Sequence, residues 1–210
     1  TPVRATSGAT LRPLVAGLDL LMVSEKNADA AAIAIAAELQ ECGATDLTVA
    51  THWATVGEFR HVALSVGCSG LAEAALWRAL TTAVGVDEAL QGGALLADRY
   101  TGPIELRPLL EGACNAHVAR SSGRLVVYPG MAALTGTCTV AQILTVSVID
   151  CVRVLAGGEG GEETPVVTRD FVRPRWTAGQ LVLDTQPAVG GTLVPFETPT
   201  PTPCCADHSA

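Results

Sequence analysis

A cysteine stands at an abrupt change of pattern in the sequence, at position 68. The β-forming run FRHVALSV ends at residue 66, Gly67 follows, and an alanine-rich helical pattern begins at Leu71. A thiol at the start of a helix meets backbone N–H groups that lack partners and the positive end of the helix dipole. Because thiolate is favoured in such a place, the sequence predicts that Cys68 is a nucleophile.

Small residues surround this cysteine. Gly67 and Gly70, with Ser69 between Cys68 and Gly70, allow a sharp turn like the nucleophile elbow of hydrolases. The elbow pattern itself fits poorly, because small residues do not stand two positions away on both sides. The alternative is that Cys68 is a small buried hydrophobe, since free cysteine is among the most buried residue types.

Three histidines are candidate bases for such a nucleophile. His61 lies in an apolar strand, which favours a structural role, and His52 lies beside Trp53 in a predicted loop that faces either a cleft or solvent. His117 follows a stretch of small residues and is the candidate catalytic base, with a structural or surface role as the alternative.

The elements that must position these residues alternate between strands and helices. The run LVAGLDLLMV has the continuous apolar character of a strand buried on both faces. The alternation predicts an α/β layered domain with a mainly parallel central sheet. Residues 106–119 fit either a helix or a strand-turn-strand. We predict strands at 14–23, 46–51, 59–66, 89–97, 124–128 and 151–155, two or three more ending near Phe196, and helices at 28–42, 71–84 and 139–146.

Composition limits the class of protein. The 210 residues are 49% hydrophobic and 16% charged, which predicts one ordered domain at 11–197 between a flexible start, 1–10, and a disordered tail, 198–210. A net charge of −8 without a Lys/Arg cluster argues against nucleic acid as a partner. No apolar run reaches the roughly 18 residues of a membrane span, so we expect no membrane association and a cytoplasmic location. Seven scattered cysteines indicate free thiols.

Two segments carry residue types that bind metals or phosphates. Cys204, Cys205 and His208 have metal-ligating side chains but no second Cys/His pair at zinc-site spacing. The glycine-rich loop 157–163 holds three glutamates and no Walker-type lysine. We therefore expect neither a metal nor a cofactor.

The order of motifs around Cys68 resembles that of β-ketoacyl synthases, especially the type III kind, in the thiolase superfamily. The matching pieces surround the Gly67-Cys68-Ser69-Gly70 stretch on both sides. They are GLDLLMVSEKNADAAAIAIAAELQECGA (17–44), GGALLADRY (92–100), LLEGACNAHVAR (109–120), which is similar to the family's "FGDGAGA" stretch, and AGQLVLDTQPAVGGTLVPFE (178–197), which is similar to its closing hairpin.

This resemblance implies a truncated thiolase-like fold in which Cys68 accepts an acyl group. The oxyanion hole would combine the backbone N–H of Cys68 with that of Gly190 or Gly191. An acyl carrier protein or acyl-CoA of fatty-acid or polyketide biosynthesis would supply the acyl group, and the chain would form a homodimer or a heterodimer with a complete ketosynthase. The family's "PHQAN" and "GNTS" motifs are missing from the sequence. The expected role is therefore acyl transfer, or that of a partner subunit, without condensation.

Two alternatives stay open. The first is a non-catalytic structural or binding subunit that keeps the fold without the chemistry. The second is a hot-dog dehydratase or thioesterase, because FVRPRWTAGQL (171–181) resembles the strand pair of that fold. The hot-dog alternative leaves the first hundred residues unexplained and lacks a matching catalytic pair of His and Asp/Glu.

Overall fold

The computed structural model describes residues 13–85, 91–155, 157 and 160–199. The chain divides into two compact units, Thr1–Tyr128 and Pro129–Ala210. The predicted flexible start and the Cys204, Cys205 and His208 cluster lie outside the described residues.

The described part of the first unit contains one antiparallel sheet of six strands and three α-helices that pack against it. The sheet order is β5-β4-β1-β3-β2-β6. From β1 to β4 the chain runs β-α-β-β-α-β with strand order 4-1-3-2, which is the split β-α-β, or ferredoxin-like, arrangement. The elements are β1 (Leu14–Met22), α1 (Glu25–Glu41), β2 (Thr45–Val56), β3 (Phe59–Ser69), α2 (Glu73–Val84), β4 (Gly93–Leu96), β5 (Arg99–Thr101), α3 (Arg107–Ala119) and β6 (Arg124–Val127).

The prediction of a mainly parallel sheet is wrong, and the reason lies at Gly57 and Glu58. These two residues form the whole connection between β2 and β3, since Val56 pairs with Phe59. Gly57 has φ +58°, the left-handed conformation that tight hairpin turns require. A two-residue connection can join only antiparallel neighbours, whereas parallel strands need a long crossover. The strands predicted at 46–51 and 59–66 are therefore parts of one longer hairpin.

Helices α1 and α2 cover one face of this sheet, called here the α1/α2 face. Ser24 caps α1, because its Oγ accepts a hydrogen bond from the Asn27 backbone N–H at 3.2 Å. Helix α1 is 17 residues long, and none of the described helices is long and apolar enough to cross a membrane. The core on this face is built from alternate strand residues and from helix residues, among them Ala16, Leu18, Val62, Leu64, Val66, Ala32, Leu39, Leu76 and Leu80.

Helix α3 packs on the opposite face, called here the α3 face, where it contacts β1, β3 and β4. Two strand glycines let the helix come close. A methyl group on Gly17 would lie 3.0 Å from Leu110 Cβ, and one on Gly67 would lie 2.4 Å from His117 Nε2. The sequence allowed either a helix or a strand-turn-strand at residues 106–119, and the structure shows a helix there. This helix can pack close to the sheet because Gly17 and Gly67 have no side chains.

A buried ion pair ties α1 to β6. Arg124 donates from Nη1 to Asp29 Oδ1 at 2.5 Å and from Nη2 to Oδ2 at 3.1 Å. The side chains are 4% and 12% exposed, so this bidentate pair is largely removed from water. Losing one partner would leave a buried charge uncompensated, which is far costlier than losing a surface pair.

The described part of the second unit is a mixed sheet built around β11. This strand pairs antiparallel with β10 and β12 and parallel with β8, while β9 pairs with β12 and β7. Thr139 and Gln142 form a capping box at the start of α4. The elements are β7 (Thr137–Thr139), α4 (Val140–Val146), β8 (Cys151–Val154), β9 (Pro165–Val167), β10 (Arg175–Thr177), β11 (Gln180–Ala188) and β12 (Thr192–Pro195).

We expect the Gly67→Ala variant to be less stable than the wild type by about 1–3 kcal/mol, because the added methyl overpacks the contact between β3 and α3. The matched control is Gly112→Ala, on the exposed side of α3 with no atom near the added methyl. This control should gain about 0.5–1 kcal/mol from the helix propensity of alanine. Urea unfolding of the three proteins measures both effects. Equal stability of Gly67→Ala and wild type would contradict the close approach of α3.

Candidate functional site

Cys68 lies inside strand β3, next to its last residue, and not at the start of a helix. Helix α2 begins only at Glu73, with Ala72 as its N-cap. The prediction that a helix N-terminus activates Cys68 is therefore wrong. The side chain is 3% exposed in the core on the α1/α2 face, and burial raises the pKa of its thiol.

The small residues around Cys68 have separate roles. Gly67 is part of β3 and faces His117, so it provides space for an imidazole and does not form a turn. Ser69 ends the strand. Gly70 has φ +80° and makes the turn that follows, with the Gly43 carbonyl 3.0 Å from where its Cβ would be.

Cys68 and His117 lie on opposite faces of the sheet. Successive strand residues point to opposite sides, so Gly67 faces α3 while Cys68 faces α1 and α2. His117, in the last turn of α3, is buried against the α3 face. The geometry of β3 therefore does not bring the predicted nucleophile and the predicted base together.

Gly190 and Gly191 lie in the second unit, in the turn between β11 and β12. Ala188 pairs with Thr192, and both glycines have positive φ, +80° and +72°. The glycine-rich hairpin expected near the end of the sequence is present. The role of these N–H groups in an oxyanion hole stays a prediction.

His117 belongs to a hydrogen-bonded row of four side chains on the α3 face, called here the Thr48 array. Its Nε2 lies 3.0 Å from Thr48 Oγ1, and its Nδ1 lies 2.8 Å from Ser65 Oγ. Ser65 Oγ in turn lies 2.8 Å from His52 Nε2. The two central groups are buried, Ser65 at 0% and His117 at 7% exposure, while Thr48 and His52 at the ends are half-buried.

The pairing of β2 with β3 positions this array. Thr48 and His52 point to the same face because they are four residues apart on one strand, with Ala50 between them. Ala50 is the cross-strand partner of Ser65, and its small side chain leaves room for both imidazoles to reach the serine hydroxyl. The register of one hairpin thus determines which groups can meet.

Both imidazoles of the array are neutral at pH 7. Burial lowers the pKa of His52 to about 4. Burial also lowers the pKa of His117, and repulsion from a protonated His52 and from Arg120 lowers it further, to about 4. A neutral imidazole has one nitrogen that donates and one that accepts, so each histidine of the array can connect two hydroxyl groups.

A second buried pair lies on the same face. His61 Nε2 is 2.7 Å from Asp19 Oδ2, both side chains are 0% exposed, and Asp19 Oδ1 accepts from the Leu21 backbone N–H at 2.8 Å. Burial raises the pKa of Asp19, against the lowering effects of the Leu21 N–H and His61. Among the described residues, the buried side-chain atom without a hydrogen-bond partner is His61 Nδ1. Within these same ranges no group of three or more His, Cys, Asp or Glu is placed to hold a metal ion.

No family model, curated protein or solved structure matches this chain. The resemblance to β-ketoacyl synthases therefore stays a prediction. A functional proposal must therefore start from the geometry of the Thr48 array.

Thr48 and Ser65 were absent from the sequence-based set of site residues. A signal for Ser65 was available, since it follows His61 by four residues in an otherwise apolar strand and must share a face with it. Thr48 has no comparable signal, because threonine is common in strands. His117 was selected, but its partners come from β2 and β3.

We expect Cys68 to resist alkylation in the folded protein, because its thiol is buried and its pKa is raised. Exposed Cys42 provides the internal reference. Brief treatment with iodoacetamide and peptide mapping should show modification of Cys42 and nearly none of Cys68 until urea is added. Equal modification of the two thiols under native conditions would show that Cys68 is accessible.

We expect acidification to weaken the fold through His117. Its folded-state pKa of about 4 lies below the usual 6.5, so its stabilising effect is full above pH 6.5 and is lost as the pH falls toward 4. Between pH 7 and pH 5, protonation of this one histidine should lower the free energy of unfolding by about 2 kcal/mol. The free energy of unfolding in urea should fall by about 2 kcal/mol less in His117→Asn over the same pH range. An unchanged pH dependence would show that His117 titrates normally.

Proposed function

We propose that the first unit is an acyl-transfer site in which Thr48 accepts an acyl group and His117 acts as general base. The observation that carries the proposal is the 3.0 Å contact between Thr48 Oγ1 and His117 Nε2, with the other nitrogen of His117 held by Ser65 at 2.8 Å. A nucleophile, a base within hydrogen-bond reach and a third group that orients the base are the features of covalent acyl-transfer sites.

The exposure of the groups fits these roles. Thr48 is half-buried, so its hydroxyl is the more accessible of the two in the array, whereas Ser65 is 0% exposed. The strand neighbour of Thr48 is Gly67, which adds no side chain beside the hydroxyl. Burial keeps His117 neutral down to about pH 4, so at pH 7 its imidazole has one bare nitrogen that can accept a proton.

This proposal moves the acyl acceptor from Cys68 to Thr48. Cys68 is buried on the face opposite His117, and its thiol has a raised pKa. The broader class of reaction, transfer of an acyl group from an ester or thioester, is the chemistry that a hydroxyl beside an imidazole performs. Acyl-CoA or an acyl carrier protein as donor, and a ketosynthase as partner, are kept from the sequence resemblance as predictions.

A second candidate function is a non-catalytic binding or structural module. The observation that favours it is the burial of Ser65 and His117 where α3 docks. A fully paired polar network of this kind rigidifies a core and selects one packing arrangement. In that case the array would position α3 and would not react.

Intact-mass spectrometry and peptide mapping after incubation with p-nitrophenyl acetate and acetyl-CoA test the proposal. We expect a single acetyl adduct on Thr48 that is kept in Thr48→Ser and in Cys68→Ser. The adduct should be absent from Thr48→Val, which keeps the shape of the side chain, and present in the control Thr55→Val at an exposed position of β2. Acylation should slow by about 10²–10⁴-fold in His117→Asn, the usual size of a general-base contribution.

The other outcomes are equally informative. An adduct on Cys68 would overturn the role of Thr48 and favour the ketosynthase-like interpretation. Absence of any adduct from folded wild-type protein would overturn acyl transfer and favour the non-catalytic module.

A further inference from the structure

We propose that His52 is the outer end of a proton relay that begins at Thr48 and passes through His117 and Ser65. This inference rests on the proposed function and adds to it a proton-transfer role for Ser65 and a proton outlet at His52. The geometry that points to it is the unbroken row of three contacts, 3.0, 2.8 and 2.8 Å, between four side chains.

The relay would prevent a buried positive charge from remaining on His117. When a histidine takes a proton from a nucleophile it becomes a cation, and in Ser-His-Asp triads a carboxylate stabilises that cation. The group on His117 Nδ1 is Ser65, a neutral hydroxyl, and the imidazole is 7% exposed. Burial lowers the pKa of His117 to about 4, so a lasting imidazolium is disfavoured.

Every member of the row can donate and accept at once. A hydroxyl has one proton and two lone pairs, and a neutral imidazole has one N–H and one bare nitrogen. In the first order, Thr48 donates to His117 Nε2, His117 Nδ1 donates to Ser65, and Ser65 donates to His52 Nε2. In the reverse order, His52 Nε2 donates to Ser65, Ser65 to His117 Nδ1, and His117 Nε2 to Thr48. The Thr48 hydroxyl can then donate to the Gly67 carbonyl, 3.4 Å away.

The acylation step converts the first order into the second. Thr48 Oγ forms a bond to the acyl carbonyl carbon and loses its proton to His117 Nε2. His117 loses its Nδ1 proton to Ser65, Ser65 passes its own proton to His52 Nε2, and the Nδ1 proton of His52 leaves to water. The bond to the leaving thiolate or alkoxide then breaks, and that group takes a proton from water. Protons balance, and neither histidine is a cation once the transfers are complete.

The surroundings of His52 suit an outlet. The residue is half-buried at one end of the row, whereas Ser65 and His117 in the middle are removed from solvent. Gly123 lies against the imidazole, and a methyl group there would be 2.7 Å from His52 Cε1. A side chain at position 123 would push His52 away from the serine.

Other ionisable groups near the array leave the row of contacts intact. On α3, Arg120 is exposed and lowers the pKa of His117. On β1 and β3, Asp19 and His61 are hydrogen-bonded to each other. These three charged or titratable side chains therefore lie outside the row of contacts that forms the relay.

The activity test compares wild type with His52→Gln. Glutamine can still bond to Ser65, but it cannot accept a proton at one atom and release it from another. We expect acetylation of Thr48 by p-nitrophenyl acetate to slow by about 10²-fold, the lower end of the range for proton-transfer groups. Added imidazole should restore part of the rate in His52→Ala and none in Thr48→Val.

The acetylation rate should also be measured in mixtures of H₂O and D₂O. A plot of rate against deuterium content should be curved in wild type, where several protons move, and linear in His52→Gln. Wild-type rates and isotope dependence in His52→Gln would overturn the relay.

A second measurement needs no activity. The chain has four histidines, so their ¹⁵N-labelled ring nitrogens can be assigned by substitution. We expect the two His117 nitrogens to show shifts between those of N–H and bare nitrogen, because both proton orders are populated, and to become those of one tautomer in Ser65→Ala. The unchanged fold of Ser65→Ala is checked by circular dichroism.

The experiments distinguish failure of the proposed acyl transfer from failure of the proton relay. If no acyl adduct forms but the His117 nitrogens behave as described, the proposed function fails and the relay remains. A single His117 tautomer that is unaffected by Ser65→Ala and His52→Gln overturns the relay even when Thr48 is acylated.

Discussion

The close approach of helix α3 to the sheet is the constraint on which the rest of the first unit depends. Two glycines, Gly17 and Gly67, leave no side chain between strand and helix, and Leu110 and His117 occupy the space. The ferredoxin-like arrangement of strands β1 to β4 has helices on one face, and here α3 covers the other face as well. The covering brings an imidazole from one segment onto hydroxyl groups from two others.

Burial gives the array its chemical character. The array is made of groups that are neutral at pH 7, and the carboxylate of Asp19 is engaged by His61 and by the Leu21 N–H. A site of this type excludes ions and strengthens each hydrogen bond, because the local dielectric constant is low. The same property makes each contact costly to lose, so substitutions of Ser65 or His117 lower stability as well as any activity.

The sequence predicted many elements and missed how they associate. Most strands and helices lie close to the predicted segments, and the apolar character of 14–23 does reflect a strand with covered faces. The expectation of parallel strands failed because helices separate most strands in the sequence, while the connection that matters, Gly57-Glu58, has only two residues. A β-α-β order is compatible with a parallel neighbour or with a strand inserted between, and single-sequence patterns do not distinguish them.

The site shows the same limit at the level of single residues. Cys68 was selected because the pattern changes around it, yet strand β3 continues through it and the alternation of faces turns it away from α3. The array depends on the β2–β3 register, on Ala50 being small and on α3 lying over Gly67. These are contacts between segments far apart in the sequence, and local propensity contains no information about them.

The ion pair between Asp29 and Arg124 has a consequence for how the chain is made. Its partners are 95 residues apart, one near the start of the described chain and one in the last strand of the first unit. During synthesis on a ribosome, α1 can form long before Arg124 emerges, and its Asp29 carboxylate must stay in water until then. In a nascent chain that stops short of β6, Asp29 would lack its Arg124 partner, so docking of the N-terminal part of α1 on the sheet is favoured only once β6 has been made.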